Sequence, residues 1–398
     1  DRSVSRGLGD VYKRQMHNQE LIYLDYAATT PTPQCVINKW VDYQENIGVS
    51  AFRGDGTLSK LAQTTFDDSI STILDFFDGN NQYELMLTKN STEAINLVAL
   101  GLYDFISRGD IVVLGPYEHH SNYLPWINLC RAKGAILVEL PLSNDGSIDY
   151  HFIDTLEINR VKIISLSLTS NVNSYNLDKL TLQYFRENTN AMIFLDVCQS
   201  IGHQRVSFSE LAADGYFLSA HKMYGPKQIG AAAINKKISK LVKPIFWGGG
   251  MVWSVLGQNL KAHEHERKYL SGTFDIGLLA GWATACKFMS SINLNQIMKH
   301  EDKLWEYVNK KIDNSKISII NKGINGHIAL CSMDIKNIHV HDMGEIMANN
   351  NIIIRTGHLC AQNVLNNLGL ISVLRFSWGI ATTESDIDKF FKVLYEAI

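Results

Sequence analysis

The sequence predicts an α/β protein: a large, mostly parallel sheet with helices on both faces, followed by a smaller C-terminal α/β unit. Three observations predict it. Short apolar strand patterns alternate with amphipathic helix patterns from Glu20 to Ile234, as parallel strands joined by helical crossovers require. The residues with chemical potential stand at strand ends, where open α/β sheets place their sites. Beyond Lys243 the texture changes to a glycine run, Phe246-Trp247-Gly248-Gly249-Gly250-Met251-Val252, and a second set of patterns occupies the stretch from about Leu278 to Ile398. With 398 residues, 45% hydrophobic and 19% charged, the chain can bury one large core and one smaller one. The expected division is a tail over 1–15, a large unit over 16–277 whose N-terminal segment lies near the small unit, and a small unit over 278–398 that carries a cysteine loop.

A net charge of −3 offers no electrostatic basis for nucleic acid or an anionic membrane as partner. No apolar run approaches the roughly 20 residues of a membrane helix and no secretory signal is visible, so a cytoplasmic location is expected. The cysteines, Cys35, Cys130, Cys198, Cys286, Cys331 and Cys360, include no C-x-x-C pair. That spacing argues against a zinc ribbon or a disulfide framework, and most of them read as small core side chains.

Taken in order, residues 1–15 (DRSVSRGLGDVYKRQ) lack apolar periodicity and resemble a translated sequencing-adapter extension, with Met16 the expected start. Ile22-Tyr23-Leu24 is a strand pattern leading into Asp25-Tyr26-Ala27-Ala28-Thr29-Thr30-Pro31. Leu85 to Thr88 is another, followed by Asn90-Ser91-Thr92-Glu93, and then Ile95, Val98, Ala99 and Leu102 form the stripe of a helix. A strand running into a helix N-terminus offers free N–H groups and the positive dipole end to a phosphate, with the Ser91 and Thr92 hydroxyls as further donors. An ordinary Ser/Thr cap would use the same residue types.

Ile111 to Gly115 reads as a strand before Glu118-His119-His120-Ser121-Asn122 and Pro125-Trp126. Adjacent histidines point apart and no third ligand stands at useful spacing, so no metal site is expected. Ile136 to Leu140 and Val161 to Leu168 are further strands, the second ending near Asn171. Met192 to Gln199 is a buried strand pattern that ends in a carboxylate, Asp196. After Tyr216-Phe217-Leu218 comes Ser219-Ala220-His221-Lys222-Met223-Tyr224-Gly225-Pro226, a lysine held between a strand and a Gly-Pro break. A lysine so held can form a Schiff base with the aldehyde of pyridoxal 5'-phosphate, and a buried aspartate can keep that cofactor's pyridine nitrogen protonated. Asp196 and Lys222 lie 26 residues apart, room for a strand, a connection and a second strand at one sheet edge. In the second unit Ile352 to Ile354 is a strand leading into Arg355-Thr356-Gly357-His358-Leu359-Cys360-Ala361, where Arg355 and His358 could raise the thiolate fraction of Cys360. Arg375 stands in a further apolar stretch, and Thr383 to Ile398 reads as a capped helix.

The series D-x-x-Q, then S-x-H-K-x-x-G-P, resembles the class V, fold-type I pyridoxal-phosphate enzymes, and R-T-G-H-x-C-A resembles the group II cysteine desulfurases. Matches run in the family's order from about Ile22 to the C-terminus. The departures are Ser91 for the first threonine of the phosphate motif, Gly56 for a histidine, Ser174 where a glycine is usual, and Leu359 for the second histidine. The resemblance implies a homodimer that binds pyridoxal 5'-phosphate and carries no metal. Lys222 would bond the cofactor, with Asp196 and Gln199 on its ring and His119 stacked over it. Ser91, Thr92, Ser219 and His221 would form the phosphate cup, joined by Thr273 of the other subunit. Asn171, Arg375, Arg355 and Ala28 would face the substrate, L-cysteine, with Arg375 gripping its carboxylate. Cys360 would take the sulfur as a persulfide, leaving L-alanine, and pass it to a carrier or scaffold protein of the kind that serves iron-sulfur cluster assembly. Two other readings stay open: a selenocysteine lyase or other class V enzyme, and a weakly active scaffold of the same fold.

Overall fold

A computed structural model describes residues 15–16, 19–52, 54–320 and 328–398. The tail expected over 1–15 lies outside the described residues except Gln15. In chain order the strands are β1 (Gln15–Met16), β2 (Gln19–Glu20), β3 (Ile22–Tyr23), β4 (Tyr83–Thr88), β5 (Ile111–Leu114), β6 (Ile136–Glu139), β7 (Val161–Ser167), β8 (Met192–Asp196) and β9 (Gly215–Ser219). They continue with β10 (Gly230–Asn235), β11 (Val252–Leu256), β12 (Asn259–Ala262), β13 (Ile317–Ile319), β14 (Leu330–Ile335), β15 (Ile352–Ile353), β16 (Arg355–Gly357) and β17 (Val373–Ser377).

Seven strands form the main sheet in the order β4-β10-β9-β8-β7-β5-β6. The run β9-β8-β7-β5-β6 is parallel, and β10 lies antiparallel to both its neighbours. Strands β4, β5, β8 and β9 are buried along their whole length, as expected when helices cover both faces. The two-residue pleat sorts their side chains into two cores. Leu85, Leu87, Ile193, Leu195, Tyr216 and Leu218 enter one core; Met86, Met192, Phe194 and Phe217 enter the other, with Ile95, Val98 and Trp126 from the covering helices. Helices Thr57–Phe76 and Ile276–Ile292 belong to the first of these cores.

A third core gathers the remainder around an antiparallel sheet of order β13-β14-β17-β16. Cys331, Met333, Leu374 and Phe376 from its strands meet Leu304, Met343, Met347, Ile387 and Phe390 from three helices. The last of these, Glu384–Ala397, starts with a capping box in which Thr383 and Asp386 satisfy each other's backbone N–H. Ile22 and Leu24 also lie in this core, because β3 pairs in parallel with β15 and Asp25 bridges to Ser377. Strands β11 and β12 form a separate hairpin whose apolar side chains face outward, Trp253 71% exposed and Leu256 81% exposed.

Candidate active site

Parallel strands end together, and that alone brings the first pair of side chains to one place. Register sets Ser167 of β7 opposite Asp196 of β8, and Asp196 opposite Phe217 of β9. Lys222 follows β9 on a short 3-10 turn, Ala220–Lys222. Both side chains line a cavity of about 530 Å³, which also takes in the start of helix Ser91–Gly101, the turn after β5, Arg375 of β17 and the loop after β16. Burial pulls the Lys222 ammonium below the ordinary lysine range, opposed by Cys198 and Asp196. Burial also pushes the Cys198 thiol well above its usual range, so it stays neutral and Asp196 is the working counter-charge. Asp196 is itself aimed by the Cys198 backbone N–H, which donates to Oδ1 at 3.0 Å.

Opposite this pair the helix Ser91–Gly101 presents its first turn, capped by Asn90, whose side chain accepts from the Glu93 N–H at 2.9 Å. The Ser91 N–H donates to Ser219 Oγ at 2.9 Å, and Ser219 Oγ donates to Ser91 Oγ at 3.0 Å. Thr92 Oγ1 lies 2.7 Å from Ser121 Oγ. The result is a hydroxyl-lined helix N-terminus suited to an anion. His221 closes one side, its Nδ1 3.1 Å from Thr29 Oγ1, and burial lowers its pKa to about 4. His119 Nδ1 accepts from the Ser121 N–H at 3.1 Å, so the neutral ring carries its proton on Nε2. Burial, then the charge of Lys222, lowers the His119 pKa to about 3.

The other wall comes from the third core. Arg375 is buried at 2% exposure. Its Nη1 donates to the Asn171 carbonyl at 2.8 Å and its Nη2 to Asp25 Oδ1 at 3.2 Å, while Nε has no partner among the described residues. Asn171 Nδ2 donates to the Leu359 carbonyl at 2.9 Å, and its Oδ1 is likewise unpartnered. Buried polar atoms left open at a cavity wall are the mark of a place for a polar ligand. Asp25 Oδ2 accepts from Arg355 Nη2 at 2.8 Å, so the Arg355 guanidinium is engaged by a carboxylate as well as bordering the cysteine loop. Gln199 Nε2 donates to the Ala27 carbonyl at 2.9 Å, fixing the Ala27-Ala28 loop at the rim. Cys360 is exposed, on a loop where Leu359 and Cys360 both take left-handed backbone, φ 55° and 52°.

Every site residue expected from the sequence lines this cavity except Thr273. Thr273 lines a separate cavity of about 300 Å³ with Gly249, Gly250 and Arg267. Sequence reasoning passed over Asp25, the shared acceptor of Arg355 and Arg375; a carboxylate directly after an apolar strand was the available signal. It also gave no role to Glu118, which accepts from the Ser167 N–H and Oγ, each at 2.7 Å, and from Asn122 Nδ2 at 2.6 Å. Burial pushes the Glu118 carboxyl up to about 8 although all three partners donate to it. His341 and Thr169 join the lining without any sequence cue. Among the described residues no group of three His, Cys, Asp or Glu side chains is arranged to hold a metal ion, and no helix is long and apolar enough to cross a membrane.

The family model for aminotransferase class-V matches residues 22–390. The chain belongs to this family. Among its class-V relatives is a cysteine desulfurase of Wigglesworthia glossinidia brevipalpis, 31% identical over 388 residues and covering 96% of this chain and 94% of the relative. A probable cysteine desulfurase of Pyrococcus abyssi is 31% identical over 98% of this chain and 97% of its own length. The apo structure of the cysteine desulfurase from Thermococcus onnurineus NA1 superposes with a TM-score of 0.90 at 28% identity, covering 95% of this chain and 94% of that one. The fold of this class-V protein is thus the fold-type I arrangement of the cysteine desulfurases, and the family is one that uses pyridoxal phosphate.

Proposed function

We propose that the protein is a cysteine desulfurase that converts L-cysteine to L-alanine and retains the sulfur as a persulfide on Cys360. The observation that carries this reading is the convergence on one cavity of a buried lysine, a strand-end aspartate, a buried arginine with an open Nε, and an exposed thiol. The donor set fits pyridoxal 5'-phosphate. Ser91, Thr92, Ser219 and His221 would receive its phosphate at the helix N-terminus, Asp196 would pair with its pyridine nitrogen, His119 and Gln199 would flank the ring, and Lys222 would bond it. When bound, the cofactor supplies an electron sink that acidifies the Cα–H of an attached amino acid.

Arg375 holds the substrate carboxylate by its fork, and Asn171 positions it from the side. Lys222 exchanges the Cα proton, a task favoured by the lowered pKa of its amine. Cys360 attacks the substrate sulfur as a thiolate: an S–S bond forms, the C–S bond breaks, and the carbon keeps the electron pair and takes a proton to become the methyl of alanine. The neutral His119 ring, with its proton on Nε2, can donate within the cavity without adding a second positive charge beside Lys222.

The proposed assembly is a homodimer in the cytoplasm in which Thr273 serves the partner's phosphate cup. Its position away from the chain's own cavity and the apolar face of the β11–β12 hairpin support that reading. A persulfide-accepting carrier or scaffold would collect the sulfur. Purified protein given L-cysteine and pyridoxal phosphate should release alanine and carry +32 Da on the Cys360 peptide, about one sulfur atom. Cys360→Ser should keep cofactor binding and lose both products. Wild-type cysteine turnover in that variant would replace the desulfurase reading with that of a lyase or an aminotransferase.

A further inference from the structure

We propose that His120 is the positioning residue of the sulfur-accepting loop, holding Cys360 in place through one hydrogen bond from its backbone and one to its ring. The inference rests on the reading of Cys360 as acceptor. The His120 backbone N–H donates to the Cys360 carbonyl at 2.7 Å. Two residues further along the loop, the Gln362 N–H donates to His120 Nε2 at 3.1 Å. One residue thereby brackets the backbone just after the thiol, from the Cys360 carbonyl to the Gln362 N–H. A backbone N–H can only donate, so Nε2 is the unprotonated nitrogen and the ring is neutral with its proton on Nδ1. Burial and the neighbouring His358 ring, 5.9 Å away centroid to centroid, both lower the His120 pKa and favour that state.

The loop needs such a hold. Consecutive left-handed backbone at two non-glycine residues, Leu359 and Cys360, persists only where surrounding contacts over-determine it. Leu359 supplies one contact by burying its side chain in the first core, and the Asn171 amide supplies a second through the Leu359 carbonyl. On the C-terminal side of Cys360, where Gln362 opens the short helix Gln362–Asn367, Ala361 is buried in the same core and donates its N–H to the His358 carbonyl at 2.9 Å. His120 adds a hold on this side from a different loop. It also directly follows His119, so the hold couples the loop to the wall of the cavity that faces Lys222. A sulfur acceptor must face inward to collect and outward to deliver, and the strength of this clamp sets the balance between the two.

Three variants of the full-length, cofactor-loaded protein test the assignment. His120→Phe keeps the flat ring and the backbone donor but removes the acceptor nitrogen, while His120→Gln restores an acceptor oxygen. Gln362→Pro removes the donor at the first position of a helix, where proline is tolerated. Hydrogen exchange of the 358–361 peptide and alkylation of Cys360 by iodoacetamide read the loop directly. His120→Phe and Gln362→Pro should each speed both on the order of five- to tenfold, the loss of one neutral hydrogen bond. They should lower kcat for alanine release while leaving KM for cysteine within about twofold, His120→Gln should recover most of the loss, and the Phe/Pro double variant should be no worse than either single one. Wild-type exchange in Gln362→Pro, or additive losses in the double variant, would overturn the clamp, and Gln362→Pro decides the matter even if His120→Phe fails to fold. Exchange and alkylation need no turnover, so loop protection that depends on His120 in a protein without desulfurase activity would sustain the clamp and remove only the desulfurase reading.

Discussion

Lys222 owes its chemistry to where the backbone leaves it, on the turn just after a strand buried on both faces, where burial and the Asp196 carboxylate set its charge. If it bonds the cofactor, borohydride reduction in the presence of pyridoxal phosphate will fix label on the Lys222 peptide. Lys222→Ala will then carry none, and label on another lysine would refute the role. Two histidines give a prediction about acid. His119 and His221 have pKa values lowered to about 3 and about 4 in the folded protein, below the roughly 6.5 of a histidine in the unfolded chain. The unfolded state therefore binds more protons between these limits, so the two sites favour folding fully above pH ~6.5 and progressively less as pH falls toward the folded values. Urea midpoints should drop from pH 7 to pH 5, and His221→Asn should flatten the drop. An unchanged slope in that variant would show that its ring is charged when folded. The legibility of individual residues followed their surroundings. Lys222, Asp196 and Cys360 sit in short strand-to-loop patterns that declare themselves, whereas Asp25 and His120 act through partners more than 200 residues away, which no local pattern names.

At the scale of elements, the inner parallel strands were readable because burial on both faces makes them nearly continuous apolar runs, as in Met192–Asp196 and Gly215–Ser219. The pairing of β3 with β15 was not, since two residues with no turn or alternation carry no information about a partner some 330 positions on. Helix Ile276–Ile292 shows the same limit: it is apolar nearly all round, which fits burial but does not name the core that receives it, and it packs in the first. Asp25 joins these elements, tying the segment after β3 to Arg355 of β16 and Arg375 of β17. Asp25→Asn should leave the buried Arg375 charge without its counter-ion, at a cost of about 3 kcal/mol or more. Thermal unfolding should shift down by several degrees and KM for cysteine should rise, because the fork loses its fixed orientation. An unchanged melting temperature would mean that the Asn171 carbonyl alone holds Arg375.

For the molecule as a whole, the proposed homodimer makes each site dependent on its neighbour. Thr273→Ala should weaken pyridoxal phosphate binding at least several-fold, the loss of one charge-assisted hydrogen bond at about 1.5 to 3 kcal/mol. Replacing Trp253 and Leu256 with lysine should lower the association seen by sedimentation and weaken the cofactor in step with it. A monomer with tight cofactor binding would contradict both. The parallel pairing of Ile22–Tyr23 with Ile352–Ile353 has a consequence in time. During synthesis the ribosome delivers Ile22 and Leu24 long before the last of their packing partners, which reach as far as Leu394. The core that holds Met86, Phe194 and Phe217 draws its buried members from no later than Val242 and can consolidate while translation continues, but the other two reach Ile380 and Leu394 and must wait for those residues to emerge. Until then an apolar leading segment stays uncovered. Emergence of the stretch up to Leu394, rather than formation of the large sheet, is what lets Arg355 and Arg375 come against Asp25.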